Sequence, residues 1–311
     1  MLLKKVDYKS KVAISLFGIL ILILVIFFYP TESHENNKYT PGEIRFRSLE
    51  ETGGVVTNIW MRGTSKLDQL KENNMRYLMV DIGPTNRNGK ISTERKEIEE
   101  FLAFVDSYEK ENNYDFMVLP YSEINTNVYD INSFVFQTNF INDYVSLVEL
   151  GFGGVLIDIE YVPENREESY LKILDSLAEK IPEDSLISAY VIGINEEPNS
   201  WEWSPEFFEA VANRTNFVAL SSYDTEIQDS EEYKLHLEEE LEYILGKEWN
   251  TYFMYMVPTH KQWPETLTNA LEIFDSKTKE QENQFIGIGV FAEWTTDNSE
   301  WSFLKNYQNK G

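Results

Sequence analysis

The chain of 311 residues is long enough for one domain of about 250 residues or for two smaller domains. Hydrophobic residues make up 42% of the sequence and aromatic residues 14%, which permits a sizeable core and excludes wholesale disorder. The formal net charge of −26 argues against nucleic acid or an anionic lipid surface as a partner, and the absence of cysteine excludes disulfides and thiolate metal sites.

The first element in chain order is an uncharged apolar run over residues 12–29, which is long enough to cross a bilayer because about 17–25 residues are needed. Four lysines and a single acid precede this run, so the N-terminus is expected to stay in the cytoplasm and the rest of the chain to be exported. The following Phe27-Phe28-Tyr29-Pro30 lacks the small residues that signal peptidase prefers, which favours an uncleaved anchor over a cleaved signal. We therefore predict a basic cytoplasmic segment 1–11, a single-pass transmembrane anchor 12–29, a polar stalk 30–47 and an extracytoplasmic domain 48–311.

Beyond the stalk, short β-branched or aromatic runs alternate with segments whose apolar residues recur at helical spacing. Each run of the first kind is separated from the next by a segment of the second kind. The predicted strands are 55–60, 77–83, 115–122, 151–160, 186–194, 217–223, 251–259 and 285–294. The predicted helices are 65–73, 93–110, 134–150, 169–181, 205–213, 232–245 and 264–279.

This alternation decides the predicted fold class. Strands that alternate with helices form parallel sheets, and eight such units in about 250 residues have the size of a closed barrel. An open doubly wound sheet would usually carry a glycine-rich phosphate loop, and the sequence contains neither G-x-G-x-x-G nor a Walker motif. The predicted fold is therefore α/β, a (β/α)8 TIM barrel preceded by one N-terminal transmembrane helix. The functional site of such a barrel is built at the C-terminal ends of its strands.

Acidic and aromatic residues collect at these strand ends. Aromatic faces stack on sugar rings, and carboxylates bind hydroxyls and transfer protons, so the pattern indicates a carbohydrate partner. The histidines His34, His236 and His260 lack a metal-binding spacing and are expected at the surface, and no metal or cofactor is predicted. The residues at the predicted strand ends are Trp60, Asp81, Tyr121, Glu123, Asp158, Glu160, Tyr161, Tyr223, Asp224, His260, Glu293 and Trp294.

The fourth predicted strand ends in two carboxylates, Asp158 and Glu160. Side chains at positions i and i+2 of a strand point to the same face, so both acids are expected to project together. Ionised carboxylates at close range repel, which favours protonation of one of them near neutral pH. A protonated acid beside an ionised partner is the arrangement that glycosidic bond cleavage uses.

Residues 153–160 read G-G-V-L-I-D-I-E, a pattern similar to D-G-x-D-x-D-x-E. Asp158 and Glu160 match the last two acids of that motif, whereas Gly153 and Leu156 stand at the positions of the first two. Three shorter matches follow in order, namely S-S-Y-D at 221–224 for M-x-Y-D, V-P at 257–258 for a Leu-Pro step, and Trp294 for a strand-eight tryptophan. Together these motifs resemble glycoside hydrolase family 18, the chitinase and endo-β-N-acetylglucosaminidase family.

The resemblance implies a role for each matched residue. Glu160 would be the general acid that protonates the glycosidic oxygen and later the base that activates water. Asp158 would orient the 2-acetamido group of the substrate, whose carbonyl oxygen attacks the anomeric carbon, and Tyr223 would hydrogen-bond the same group. Asp224 would bind nearby, and Trp294 would stack beneath the sugar. Further substrate-binding residues expected from their strand-end positions are Tyr161, Tyr121, Trp60 and Glu293.

The source of the nucleophile stays open at this point. Barrel glycosidases with an enzyme nucleophile commonly take a second carboxylate from strand seven, and residues 251–260 contain none. A nucleophile supplied by the substrate explains that absence, with Glu293 on strand eight as the other candidate. The expected activity is retaining hydrolysis, outside the cell, of β-linked N-acetylglucosamine-containing glycans such as chitin, peptidoglycan or glycoprotein sugars.

The alternative function is a lectin-like protein that binds sugar on the same barrel and has lost catalysis, because a fold does not guarantee a chemistry. Retention of Glu160 favours the enzyme. Leucine at position 156 favours the binding protein, because its side chain can neither share a proton with Asp158 nor carry charge.

Overall fold

The computed structural model describes residues 52–196, 198, 201–260, 263–278 and 284–308. The predicted cytoplasmic segment 1–11, anchor 12–29 and stalk 30–47 lie outside these residues. Within the described ranges, no helix combines the length and the apolar character that a bilayer crossing requires.

Strands and helices alternate along the described chain. The barrel strands are β1 (Gly53–Asn58), β2 (Met75–Asp81), β3 (Met117–Tyr121), β4 (Gly154–Ile157), β5 (Leu186–Val191), β6 (Phe217–Ser221), β7 (Tyr252–Pro258) and β8 (Phe285–Phe291). The helices are α1 (Thr64–Glu72), α2 (Arg95–Asn112), α3 (Phe134–Leu150), α4 (Glu164–Lys180), α5 (Pro205–Ala212), α6 (Ser230–Leu245), α7 (Leu267–Thr278) and α8 (Asn298–Gln308).

The eight strands form one parallel sheet in the order β3-β2-β1-β8-β7-β6-β5-β4. The ring is nearly closed, because the N–H of Gly153 donates to the carbonyl of Val118 at 3.0 Å across the seam between β3 and β4. Above this bond the short strands Ile124–Asn125 and Ile159–Glu160 pair in parallel and continue the same seam. The predicted (β/α)8 barrel is confirmed.

The predicted strand 151–160 is interrupted in the structure at Asp158. β4 pairs with β5 only as far as Ile157, and Ile159–Glu160 then pairs with a different partner. The apolar sequence pattern does not reveal this change of partner, because the strand is buried both before and after Asp158. The interruption leaves Asp158 at the point where the strand exchanges its neighbours.

Two apolar layers surround the strands. Leu156, Met254 and Met256 belong to the core inside the ring. The alternate residues Val155 and Ile157 belong to the layer between the strands and the helices. Because successive side chains of a strand point to opposite faces, a nearly continuous apolar run fills both layers. At about 25 cal/mol per Å² of buried apolar surface, this double burial is the main force that stabilises the barrel.

Packing of the barrel explains why Gly153 and Leu156 stand at the two positions where the family motif has acids. A Cβ atom at Gly153 would collide with the sulfur of Met117, so glycine allows β4 to approach β3 at the seam. Leu156 is 2% exposed and lies within the interior core, where an unpaired carboxylate would be strongly disfavoured. Acids at these two positions would require repacking of the barrel interior.

Helix α8 has no counterpart among the predicted helices. Its N-terminus is fixed by Asp297, whose carboxylate accepts the N–H groups of Ser299 and Glu300 at 2.7 and 2.9 Å. Trp301 and Leu304 are buried and join the outer core. The helix therefore covers the outside of the barrel with only a narrow apolar face.

Candidate active site

Asp158 lies at the mouth of the barrel, directly after the C-terminal end of β4. Leu156 faces the interior core, so the alternation of the strand turns Asp158 to the same side. The carbonyl of Asp158 accepts the N–H of Ile124 at 2.9 Å, which fixes the main chain across the seam. The side chain is 7% exposed. A carboxyl group is thereby held in the mouth above an apolar floor.

The charged form of Asp158 is disfavoured by its surroundings. Its Oδ1 atom is buried and has no hydrogen-bond partner among the described residues. Burial raises the pKa of Asp158 well above its ordinary value, and the charges of Glu160, Glu123 and Asp81 raise it further. Asp158 is therefore more readily protonated than an ordinary aspartate, and its protonated form can donate a hydrogen bond.

Glu160 lies next to Asp158 on the seam, and its carbonyl accepts the N–H of Thr126 at 3.1 Å. Burial raises the pKa of Glu160 from 4.5 to about 7, and the charges of Glu123 and Asp224 contribute to this shift. At neutral pH both protonation states of Glu160 are populated. A group in this condition can deliver a proton and later take one up.

Three tyrosines line the mouth beside these acids. The hydroxyl of Tyr190 on β5 donates to the hydroxyl of Tyr223 at 2.7 Å, which leaves the proton of Tyr223 for another acceptor. Burial raises the pKa of Tyr223 far above its ordinary range, and burial together with the charge of Asp158 does the same for Tyr121. The phenols therefore stay protonated and serve as hydrogen-bond donors.

Asp224 is exposed at the end of β6, where its backbone has a φ of 64°. The buried carboxylate of Glu265 accepts the N–H groups of Asp224 and Thr225 at 3.1 and 2.8 Å and the hydroxyl of Thr225 at 2.6 Å. These three bonds hold the left-handed turn that presents Asp224 to Glu160. Glu265 is a residue of the site that sequence reasoning did not find.

An aromatic cluster forms the side of the mouth below Tyr223. The Tyr223 ring contacts Phe291 at a centroid distance of 5.3 Å and His260 at 5.2 Å. Phe291 in turn meets the edge of Trp294 at 5.9 Å, and Trp294 remains 47% exposed. His260 is thus packed into the site, and its expected surface location is corrected. Its ring is held by packing against Tyr223 and Phe291.

Two predicted residues occupy the neighbouring side of the mouth, at β8 and β1. Glu293 is 5% exposed and forms an ion pair with Lys66 of α1. Trp60 is 54% exposed and lies beside the turn at Gly83, where a Cβ would come within 3.6 Å of its ring. Glu293 is therefore engaged with a cation, whereas Trp60 presents its ring to solvent.

Tyr161 directly follows Glu160 and has a positive φ of 55°. Its ring packs against Trp201 at a centroid distance of 3.8 Å, and its carbonyl accepts the hydroxyl of Thr126. The loop after β5 is thereby joined to the loop that carries Glu160. The mouth thus brings together most of the predicted residues, namely Asp158, Glu160, Tyr121, Tyr161, Tyr223, Asp224 and Trp294.

The sequence matches no protein-family model and no curated protein at a significant level. Among solved structures it is similar to a chitinase from Bacteroides thetaiotaomicron, with a TM-score of 0.57 and 12% identity, covering 83% of this chain and 94% of that one. It is also similar to the spore cortex-lytic enzyme SleL of Bacillus megaterium QM B1551, with a TM-score of 0.58 and 12% identity, covering 82% of this chain and 73% of that one. A family GH18 chitinase from Chromobacterium violaceum has a TM-score of 0.57 and 11% identity, covering 84% of this chain and 81% of that one. The resemblance drawn from the motifs is thus confirmed at the level of the fold, which the chain shares with these proteins.

Proposed function

We propose that the protein is a retaining glycoside hydrolase that cleaves β-linked N-acetylglucosamine-containing glycans by substrate-assisted acid/base catalysis. The observation that carries this proposal is the pair Asp158 and Glu160, two carboxyls with raised pKa values at the mouth of the barrel. Such perturbed groups in a concave site are typical of catalytic acids and bases. The chitinases and the cortex-lytic enzyme that share the fold support the same class of reaction.

In the first step, protonated Glu160 transfers its proton to the glycosidic oxygen as the bond from that oxygen to the anomeric carbon breaks. The carbonyl oxygen of the 2-acetamido group forms a new bond to the same carbon, which gives a positively charged oxazolinium. The free oxygen of Asp158 accepts the N–H of this group, and the hydroxyl of Tyr223 donates to its carbonyl oxygen, so the two contacts orient the group. In the second step, ionised Glu160 takes a proton from water as the water oxygen attacks the anomeric carbon, and the bond from that carbon to the acetamido oxygen breaks, which restores the 2-acetamido group. The two displacements at one carbon give retention.

A nucleophile from the substrate is favoured by the distribution of carboxylates. Strand β7, Tyr252–Pro258, contains no acid. Glu293, the other candidate nucleophile, forms the ion pair with Lys66 and is nearly inaccessible to solvent. A carboxylate held in this way is poorly suited to attack an anomeric carbon.

The lectin-like alternative is favoured by one observation. Leu156 leaves Asp158 without the acidic neighbour that the family motif has at this position. The proton on Asp158 must then be maintained by burial and by Glu160, Glu123 and Asp81 alone. Hydrolysis distinguishes the two functions, since a lectin-like protein would bind the glycan without cleaving it.

The site of action is proposed from the N-terminal sequence. The apolar run 12–29 and the lysines before it favour an uncleaved anchor with the barrel outside the cell. Protease digestion of intact cells tests this topology, because an external barrel would be degraded while a cytoplasmic marker survives.

The function is tested by incubating the full-length protein in detergent with a panel of acetylated glycans. The expected result is hydrolysis of an N-acetylglucosamine oligomer, with the β anomer as the first product seen by NMR and inhibition by an oxazoline-type analogue. Inverted product or insensitivity to the analogue would overturn substrate assistance. Binding without any hydrolysis would establish the lectin-like alternative.

A further inference from the structure

The inner face of helix α6 contains a buried acid. Glu240 is 3% exposed and stands among the buried side chains of this face, which otherwise are Tyr233, Leu237, Leu241 and Ile244. Its Oε2 atom has no hydrogen-bond partner among the described residues. A carboxyl group in such a position loses its hydration, so an apolar side chain would pack there at lower cost. Packing alone therefore does not explain the acid.

Glu240 binds the main chain of the loop between β5 and α5. The N–H of Ile194 donates to Oε1 of Glu240 at 2.8 Å. Gly193 is close to the same atom, since a Cβ at this glycine would lie 3.0 Å from Oε1. His236, one helical turn earlier, places its Nε2 atom 3.7 Å from Oε1. The carboxyl group thus joins α6 to the first leg of the loop.

The protonated form of Glu240 predominates at neutral pH. Burial raises the pKa of Glu240 to about 8, and the charge of Glu202 raises it further, whereas the bond from Ile194 lowers it. Burial lowers the pKa of His236, so the imidazole is neutral in the same range. Glutamine resembles the protonated carboxyl in shape and charge, whereas leucine has no acceptor for the N–H of Ile194.

The two legs of this loop pair with each other. The N–H of Asn195 donates to the carbonyl of Trp203 at 3.0 Å, and the N–H of Trp203 donates to the carbonyl of Gly193 at 2.9 Å. Trp203 packs against Tyr170 of α4 at a centroid distance of 5.3 Å and against Phe207 of α5 at 4.7 Å. Apolar packing therefore fixes the second leg, and the carboxyl group on α6 fixes the first.

Trp201 connects this loop to the proposed acid. Its ring contacts the ring of Tyr161 at a centroid distance of 3.8 Å. Tyr161 directly follows Glu160, and its carbonyl accepts the hydroxyl of Thr126. The chain at Glu160 is thus held from two sides. A displacement of about 1 Å at a reacting group can reduce a rate about 100-fold, so a support of this kind matters for catalysis.

We propose that Glu240 is a positioning residue for Glu160. It holds the loop between β5 and α5, and this loop holds the chain at Glu160 through the contact of Trp201 with Tyr161. The inference rests on the proposed function, because the group that is positioned is the proposed acid. Since Glu240 is buried, it acts through the loop and does not touch the substrate.

Kinetics of the full-length protein in detergent test this role with two substitutions at one position. Glu240→Leu removes the acceptor and suits the apolar face of α6, so kcat on an N-acetylglucosamine oligomer is expected to fall about tenfold with little change in KM. Glu240→Gln keeps an acceptor oxygen and should recover most of the lost kcat. Glu239→Gln, an exposed acid on the same helix, is the matched control and should leave both constants unchanged.

A double-mutant cycle tests whether the effect passes through Trp201. Trp201→Ala should also lower kcat, and Glu240→Leu added to it should lower kcat no further, because both changes release the same contact. Losses that multiply would overturn the inference. An unchanged kcat in Glu240→Leu, or equal losses in Glu240→Leu and Glu240→Gln, would overturn it as well.

Fluorine NMR tests the loop contact without relying on hydrolysis. Labelling with fluorotryptophan gives one signal for each of the seven tryptophans, and Trp201→Ala identifies the signal of Trp201. This signal is expected to move in Glu240→Leu and to stay in place in Glu240→Gln and Glu239→Gln. An unmoved signal in Glu240→Leu would overturn the inference even where the oligomer is hydrolysed. A moved signal without any hydrolysis would support the loop contact while the proposed function fails.

Discussion

The two ends of this barrel are both acidic, yet they differ in what surrounds their carboxyl groups. The N-terminal end contains a cavity of about 820 Å³, with Arg76, Glu109, Asp115 and Asp184 among its lining residues. The C-terminal mouth contains Asp158, Glu160 and their neighbours. Position in the fold favours the second end, because barrels of this kind build their sites there.

Glu109 shows how the ends differ. Burial raises the pKa of Glu109 as it does for Glu160, but its carboxylate accepts the N–H of Phe116 at 2.5 Å and the charge of Lys110 opposes the shift. No comparable compensation lowers the pKa of Glu160, and Asp158 has an unpartnered oxygen in the described chain. Cavity volume therefore does not locate the chemistry here. Desolvated carboxyls whose pKa values no hydrogen bond or cation lowers again indicate the site better.

The largest expected effect comes from replacing the proposed acid. Glu160→Gln removes the transferable proton with little change in shape, so kcat on an N-acetylglucosamine oligomer is expected to fall about 10³-fold, within the range of general acid catalysis. Binding of the oligomer is expected to survive. Initial rates and calorimetric affinities measure the two quantities separately.

The matched control for this prediction lies at the other end of the barrel. Glu109→Gln replaces a half-buried glutamate that also has a raised pKa, and its carboxamide oxygen can still accept the N–H of Phe116. Its kcat is expected to equal that of the wild type. Equal activity of Glu160→Gln and wild type would exclude Glu160 from the mechanism. A loss of activity in Glu109→Gln would contradict the location of the active site at the C-terminal mouth.

The pH dependence sharpens the same contrast. The first step needs protonated Glu160, whose pKa is raised to about 7, so kcat/KM is expected to decrease about tenfold per unit above that pH. The titration of Glu109 should leave no trace in the rate. A profile that stays flat to about pH 9 would contradict the role of Glu160 as the acid.

Stability is expected to follow the same titration with a definite sign. The folded pKa of Glu160 lies above its unfolded value of 4.5, so its contribution to stability is complete below 4.5 and is lost as the pH rises through about 7. Glu160→Gln lacks this titration. Raising the pH from about 4 to 8 should therefore lower the melting temperature of the wild type relative to that of the variant, and thermal melting at each pH measures this difference.

The fold could be predicted from the sequence because its signals are local. Helix α3 has the predicted bounds, since its apolar spacing is regular and Ser133 caps its first turn. Strand β1 begins two residues before its predicted start. Gly53 and Gly54 carry no apolar side chain, so the sequence pattern does not indicate that they belong to the strand. Helix α8 was missed because its polar sequence shows only a narrow apolar face, and its packing against the barrel stabilises it.

The site could be predicted only where its residues form a motif. Asp158, Glu160 and Tyr223 stand in recognisable patterns at strand ends. Tyr190 and Glu265 do not, since their contacts to Tyr223 and Thr225 span 33 and 40 residues of sequence and arise only in the folded barrel. A tyrosine on β5 that faces the inside of the barrel, and an acid in the loop after β7, indicate site residues only once the barrel fold is assumed.

The smallest expected effect concerns the residue that holds the Asp224 turn in place. Glu265→Gln removes the charge of the acceptor and replaces one of its two oxygens with an amide nitrogen, so at least one of the three hydrogen bonds to Asp224 and Thr225 is lost. Bonds to a charged group contribute about 1.5–3 kcal/mol each. A mobile Asp224 binds substrate less well, so KM is expected to rise about threefold with little change in kcat. Steady-state kinetics with the acetylated oligomer give both constants.

The control Thr225→Val removes the hydroxyl, which donates to Glu265 at 2.6 Å and accepts the N–H of Ile227 at 3.2 Å, and keeps both backbone donors to Glu265, so its KM should lie between those of Glu265→Gln and the wild type. A lower melting temperature in Glu265→Gln with an unchanged KM would make Glu265 a purely structural residue. A graded rise in KM across the two variants would instead show that substrate binding at the mouth depends on the hydrogen bonds of Glu265. Neither substitution alters the N-terminal end of the barrel.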